Sequence, residues 1–168
     1  MSDKIPMTRS GKDRLMDELK KLKTVERPKI VREIEEARAH GDLSENAEYK
    51  FAKEKQGHIE GRIQQVEDWL ARADVIDVSA LSGDRVVFGA TVRLQDADTE
   101  KEVRYRIVGE FEADLKRGMI SVTSPIARSL IGKEAGDTVV VQAPGGAREY
   151  EILDVAFVED ESPVAEGA

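Results

Sequence analysis

The chain has 168 residues, 36% of them charged and 5% aromatic, with no cysteine and a formal net charge of −8. That length holds one large domain or two small ones, and the lack of cysteine excludes a disulfide framework, a thiolate metal site and a thiol nucleophile. A direct, non-specific nucleic-acid binder is expected to be basic, so any nucleic acid this acidic chain meets is expected to be presented by a partner.

The charge is unevenly placed. Residues 1–74 carry 16 Lys and Arg against 16 Asp and Glu, so the whole −8 falls on residues 75–168. The opening Met1-Ser2-Asp3-Lys4-Ile5-Pro6 lacks the apolar run of a signal peptide. No stretch approaches the ~20 apolar residues of a membrane span. The expectation is a soluble, cytoplasmic protein with no membrane partner.

In chain order, Thr8 is placed to cap a first helix that runs into Leu15, Leu19 and Leu22. The stretch Thr24 to Pro28 is expected to interrupt it, because proline cannot donate within a helix, and Pro28 suits the first turn of a new piece. Apolar positions resume at Ile30, Val31, Ile34 and Ala37. A second arm shows Ile59, Ile63, Val66, Leu70 and Ala73, alternating spacings of four and three, as in a coiled-coil seam. Upstream of Ile59 the seam weakens to Ala52 and Phe51. Ser44 to Asp74 as one helix spans about 45 Å at 1.5 Å per residue. The arms can pair within one chain or between chains; the acidic-polar turn with Gly41 favours folding back.

Between the arms lies His40-Gly41-Asp42-Leu43-Ser44-Glu45-Asn46-Ala47-Glu48-Tyr49, the tip of the expected hairpin. Gly41 suits the left-handed position that ends a helix. Asp42 and Ser44 can each accept from the free N–H groups opening the second arm. Asp42 and Glu45 stand three apart, so both carboxylates can project from one side and hold a metal ion in a partner's cavity. The same Asp-x-x-Glu spacing also suits a loosened capping box, and acids near a helix N-terminus answer its dipole. Spacing leaves both readings open.

After Asp74 the apolar period changes to two. Val75–Val78 reads as a short strand, followed by a turn at Ser82-Gly83-Asp84 and then Val86-Val87-Phe88. Thr91–Leu94 and Val103–Ile107 alternate around a polar turn, as a hairpin. Met119–Val122 is another strand, and Ser124-Pro125 opens a short helix ending near Gly132. Thr138–Val141 and Glu149–Val158 flank Pro144-Gly145-Gly146 as a last hairpin. The expected fold class is α+β. A long antiparallel coiled-coil hairpin occupies 1–74, a small domain with an antiparallel sheet 75–158, and a disordered acidic tail 159–168.

No self-contained active site is expected. His40 and His58 lack a flanking ligand pattern. Gly83 and Gly145-Gly146 lack the strand–loop–helix context of a phosphate cradle. Ser124 and Ser129 have no matching His and Asp.

The tip Ala37-Arg38-x-x-Gly41-Asp42-Leu43-Ser44-Glu45-Asn46-Ala47-Glu48-Tyr49 resembles that of the bacterial Gre transcript-cleavage factors. Val86-Val87-Phe88-Gly89-Ala90-Thr91-Val92, Tyr105–Gly109, Ser121-x-x-Ser124-Pro125-Ile126-Ala127-Arg128, Leu130–Lys133 and Pro144-Gly145-Gly146 follow in the family's order. The acidic charge resembles its GreA-like branch. The resemblance implies that the hairpin enters the secondary channel of bacterial RNA polymerase, that an FKBP-like C-terminal domain docks at the outer rim, and that the protein is a monomer. It implies no enzyme of its own, but a factor that stimulates the polymerase to hydrolyse the 3′ end of backtracked RNA. Mg²⁺ would sit in the polymerase active site, with Asp42 the principal ligand from this chain and Glu45 holding the ion or orienting water. A magnesium ion is commonly held by only one or two carboxylates. Leu43 and Ser44 would set the turn, Asn46 and Tyr49 support it, and Arg38 and Lys53 contact RNA or channel walls. Arg128 matches a family residue but receives no catalytic role. Three other readings stand beside this one: a non-catalytic occluder of the channel, a prolyl isomerase, and a structural adaptor. An FKBP-like fold does not carry isomerase function, and the aromatic residues are too few to line a proline pocket.

Overall fold

The computed structural model describes residues 3–41 and 46–158. It forms two compact units: Lys12–Ala73 belong to the first, and Lys4–Gly11 together with the chain from Asp74 onward belong to the second. The expected first domain began at residue 1, so the N-terminal strand is the difference. β1 (Ile5–Thr8) pairs with β2 (Ala73–Ile76), and a four-residue strand whose partner lies far along the chain has no local periodicity to reveal it. Among the described residues, no helix is long and apolar enough to cross a membrane.

The first unit is helical. α1 (Arg9–Lys21) follows Thr8, whose Oγ accepts from the Gly11 N–H at 3.0 Å, the cap expected of it. Near Pro28 the helix does not break. A π-helical turn over Leu22–Glu26 carries it into α2 (Arg27–Arg38), with the Arg27 N–H bonded back to the Leu22 carbonyl. The wider π register absorbs the donor that Pro28 lacks, and Thr24 Oγ donates to the Lys20 carbonyl at 2.7 Å.

α3 (Ala47–Ala71) returns alongside, about 37 Å long at 1.5 Å per residue. It is shorter than the expected arm, and Ala73 leaves it for β2. Ile30, Ala52, Ile59 and Ile63 form the buried seam, with Leu19, Leu22 and Ile34 packed against it. Val31, expected in that seam, is exposed. Bonded pairs link the arms: Arg62 Nε to Glu18 at 2.6 Å, Lys23 to Glu67 at 2.7 Å and Arg27 Nε to Glu60 at 2.8 Å. In this structure the arms pair within one chain.

The second unit is a five-stranded sheet in the order β5-β4-β3-β7-β6. β3 (Thr91–Asp96) and β4 (Glu102–Val108) form the expected antiparallel hairpin, with Val92 opposite Tyr105 and Leu94 opposite Val103. β6 (Thr138–Ala143) and β7 (Gly146–Ala156) form the second, and β7 also pairs with β3 through a bulge near Leu94. The sheet is mostly antiparallel, as expected, with one exception: β5 (Met119–Ser121) runs parallel to β4. α4 (Pro125–Leu130) is capped by Ser124 Oγ, which accepts from the Ala127 N–H. Val86-Val87-Phe88 forms no strand; an isolated bridge joins Arg85 to Glu134, and Val86 is buried. Alternate residues of β3, β4, β6 and β7 meet α4 in one apolar core that includes Val92, Leu94, Ile107, Leu130, Val141 and Ile152. Glu112, buried, ties β1 to this unit by accepting from the Thr8 N–H, the Thr8 hydroxyl and the Gly109 N–H.

Candidate functional site

The hairpin reverses between Gly41 and Asn46. Asp42, Leu43, Ser44 and Glu45, which carry the expected metal-binding and turn-setting roles, lie outside the described residues. The structure defines both ends of that segment. α2 ends at Ala39, whose N–H reaches the Glu35 and Glu36 carbonyls at 3.2 Å. Gly41 has φ +112°, the region expected of it, where a side chain is strained.

On the other side, the cap of α3 is Asn46. Its Oδ1 accepts from the Tyr49 N–H at 3.0 Å, and its Nδ2 donates to the Ala37 carbonyl at 2.6 Å. One side chain therefore satisfies a free donor at the start of α3 and adds a second hydrogen bond to the Ala37 carbonyl, which also accepts from the His40 N–H at 3.1 Å. The expected caps, Asp42 and Ser44, lie upstream of this position. Because α3 begins at Ala47, Glu45 precedes the cap and cannot be the third residue of the helix, as a capping box requires.

The remaining expected site residues lie on the two arms. Tyr49 is half-buried one turn into α3, and its backbone makes the cap bond. Arg38 is exposed at the end of α2, and Lys53 is exposed on α3 with Nζ 3.2 Å from Gln56 Oε1. A further pair was not expected: His40 Nδ1 lies 2.7 Å from Glu48 Oε1, joining the arms beside the reversal. An i,i+8 spacing across a turn has no local signature, so only the folded hairpin reveals it.

The chemistry of the donor set bears on magnesium. Among the described residues no group of three or more His, Asp or Glu is placed to hold a metal. Asp42 and Glu45 supply two carboxylates, which fits an ion whose other ligands come from a partner, phosphate and water. It does not fit a site closed within this chain.

Two family descriptions match in tandem: "Transcription elongation factor, N-terminal" over residues 5–75 and "Transcription elongation factor, GreA/GreB, C-term" over residues 81–157. Transcription elongation factor GreA of Anaeromyxobacter sp. (strain K) is 71% identical, over 95% of this chain and 96% of that protein. The same factor from Phenylobacterium zucineum (strain HLK1) is 64% identical, over 93% and 99%. Among solved structures, that of the transcription factor Gfh1 aligns at 26% identity with a TM-score of 0.45, covering 92% of this chain and 99% of that one. Matched along nearly its whole length, the chain belongs to the GreA/GreB family of transcription elongation factors.

Proposed function

We propose that this protein inserts its α2–α3 hairpin into the secondary channel of bacterial RNA polymerase and stimulates cleavage of the 3′ end of backtracked RNA. The observation that carries this reading is the Asn46 clamp. By bonding Ala37 and Tyr49 at once, it fixes both ends of the segment bearing Asp42 and Glu45. Two carboxylates carried at the end of a helical rod reach a cavity that a globular surface cannot. The protein is then an accessory factor acting in the cytoplasm as a monomer. The sheet domain, FKBP-like as the family resemblance implies, rests at the channel's outer rim.

When a second Mg²⁺ is bound in the polymerase site, it supplies activation of the attacking water and stabilisation of charge on the phosphate. Asp42 would bind the ion, Glu45 would hold it or orient the water, and Asn46 would keep both from swinging away. Arg38 and Lys53, on the flanks, are placed to meet RNA phosphates or acidic channel walls.

The test is a backtracked polymerase complex with 3′-labelled RNA and Mg²⁺, timed for release of short 3′ fragments. Fast release is expected with the unaltered protein, none above background with Asp42→Ala, and a strongly reduced rate with Glu45→Ala. Equal release with and without the protein, while it stays bound, would sink the cleavage reading and leave a channel-occluding regulator.

A further inference from the structure

Beside the tip, the two arms enclose a groove of about 410 Å³. Its apolar part is made by Ala37, Ala52 and Phe51, and Phe51 is 68% exposed. The seam between the arms uses Ala52 and leaves its neighbour Phe51 outside. A phenyl ring open to water adds nothing to the hairpin core, and it stands in a chain with only 5% aromatic residues. Its placement has no explanation in the stability of the hairpin.

The rim is acidic. Glu33, Glu36 and Glu48 face the groove against one lysine, Lys55. Lys55 lies 3.6 Å from Glu33 and His40 bonds Glu48, so of the three glutamates lining the groove Glu36 is the one that no described residue pairs as an ion. Phe51 lies five residues beyond Asn46, about 7.5 Å along the helix axis. Whatever cavity receives the tip also surrounds this groove.

We infer that the groove is a docking surface for the wall of the polymerase channel, and that it takes an apolar side chain flanked by Lys or Arg. The apolar side chain packs on the Phe51 ring between the arms, and the flanking cation pairs with Glu36. Such an aromatic anchor, desolvated in a pocket and ringed by charges, is how interfaces concentrate binding energy. This inference rests on the proposed insertion and adds which face of the hairpin grips the channel.

The experiment is displacement of fluorescently labelled full-length protein from bacterial core RNA polymerase by unlabelled variants. Phe51→Ala is expected to bind about tenfold more weakly, and Phe51→Leu within about threefold of the unaltered protein. Glu36→Lys is expected to lose about fivefold at low salt, with the deficit shrinking as salt screens the pair. Thermal melting of Phe51→Ala should match that of the unaltered protein, since the ring is outside the core. Unaltered affinity for Phe51→Ala overturns the inference and leaves channel insertion standing. No binding even by the unaltered protein overturns both.

Discussion

The two units are held together by different means. The helical hairpin buries a thin seam of isoleucine and alanine and links its arms with exposed ion pairs. The sheet unit packs a continuous core in which Val92, Leu94, Ile107, Leu130 and Ile152 are wholly buried. Surface ion pairs contribute little each, whereas closely packed apolar groups leave a cavity when removed. The hairpin is thus a rod whose surface remains free for contacts, and the sheet unit carries the deep packing.

The largest expected effect tests that contrast directly. Ile152→Ala should destabilise the sheet unit by about 4 kcal/mol, since its neighbours are locked in place and cannot close the gap. Ile63→Ala should destabilise the hairpin by about 2 kcal/mol, because its half-buried neighbours on the facing arm can settle inward. Trp69, the chain's single tryptophan, lies on α3, so its fluorescence follows the hairpin during urea unfolding. The near-UV signal of Tyr105 and Tyr150 follows the sheet. Equal losses would mean that the seam is as rigid as the sheet core.

Asn46 sharpens the comparison where the hairpin's stability and its function separate. Asn46→Asp keeps the oxygen that accepts from the Tyr49 N–H but removes the donor to the Ala37 carbonyl. The helix cap survives, so the Trp69 transition should move by less than about 1 kcal/mol. The ends of the tip segment are no longer tied, and cleavage stimulation should fall by about tenfold, an effect of positioning. Loss of stability in step with loss of cleavage would make Asn46 an ordinary cap.

Asn46 also shows where sequence reasoning stopped. Asp42, Ser44 and Asn46 are all good caps within five positions, and local preference cannot choose among them. The choice is made by the Ala37 carbonyl on the other arm, a tertiary fact. Phe51 and Ala52 posed the same problem, and the facing arm selected Ala52. In contrast, the Thr91–Leu94 and Val103–Ile107 hairpin was legible because alternation is a local signal and one of its faces packs on the core, with Val92, Leu94 and Ile107 buried and Val103 and Tyr105 partly so. The cap and proline of α4 were legible for the same reason. β1 was not, since a strand of four residues takes its identity from a partner far along the chain; β5 was legible as a strand, but its parallel pairing with β4 was not. The proline at 28 signalled a disturbance correctly, but only the packed arms show that a π turn absorbs it.

The smallest expected effect concerns acid. In the hairpin, the Arg27 guanidinium holds the Glu60 carboxyl below its usual range. In the sheet unit, the backbone N–H groups of Thr99 and Asp98, and then Arg148, hold Asp96 below its own. In both cases the unfolded chain takes up the proton at a higher pH than the folded one. The stabilisation is therefore fully present above the unfolded carboxylate values near 4 and is lost as the pH falls through the lowered native values. Salt separates the two. Glu60 is open to solvent, and about 1 M salt shortens the screening length to roughly 3 Å, weakening its pairing with Arg27. Asp96 is 5% exposed and bonded to its own turn, and those short bonds are little affected by ions. Between pH 5 and pH 3, the acid-induced loss seen through Trp69 should shrink in high salt, while the loss seen through the sheet tyrosines persists. If salt erased both, the turn at Asp96 would be held by long-range charge, and the two units would differ less than their packing implies.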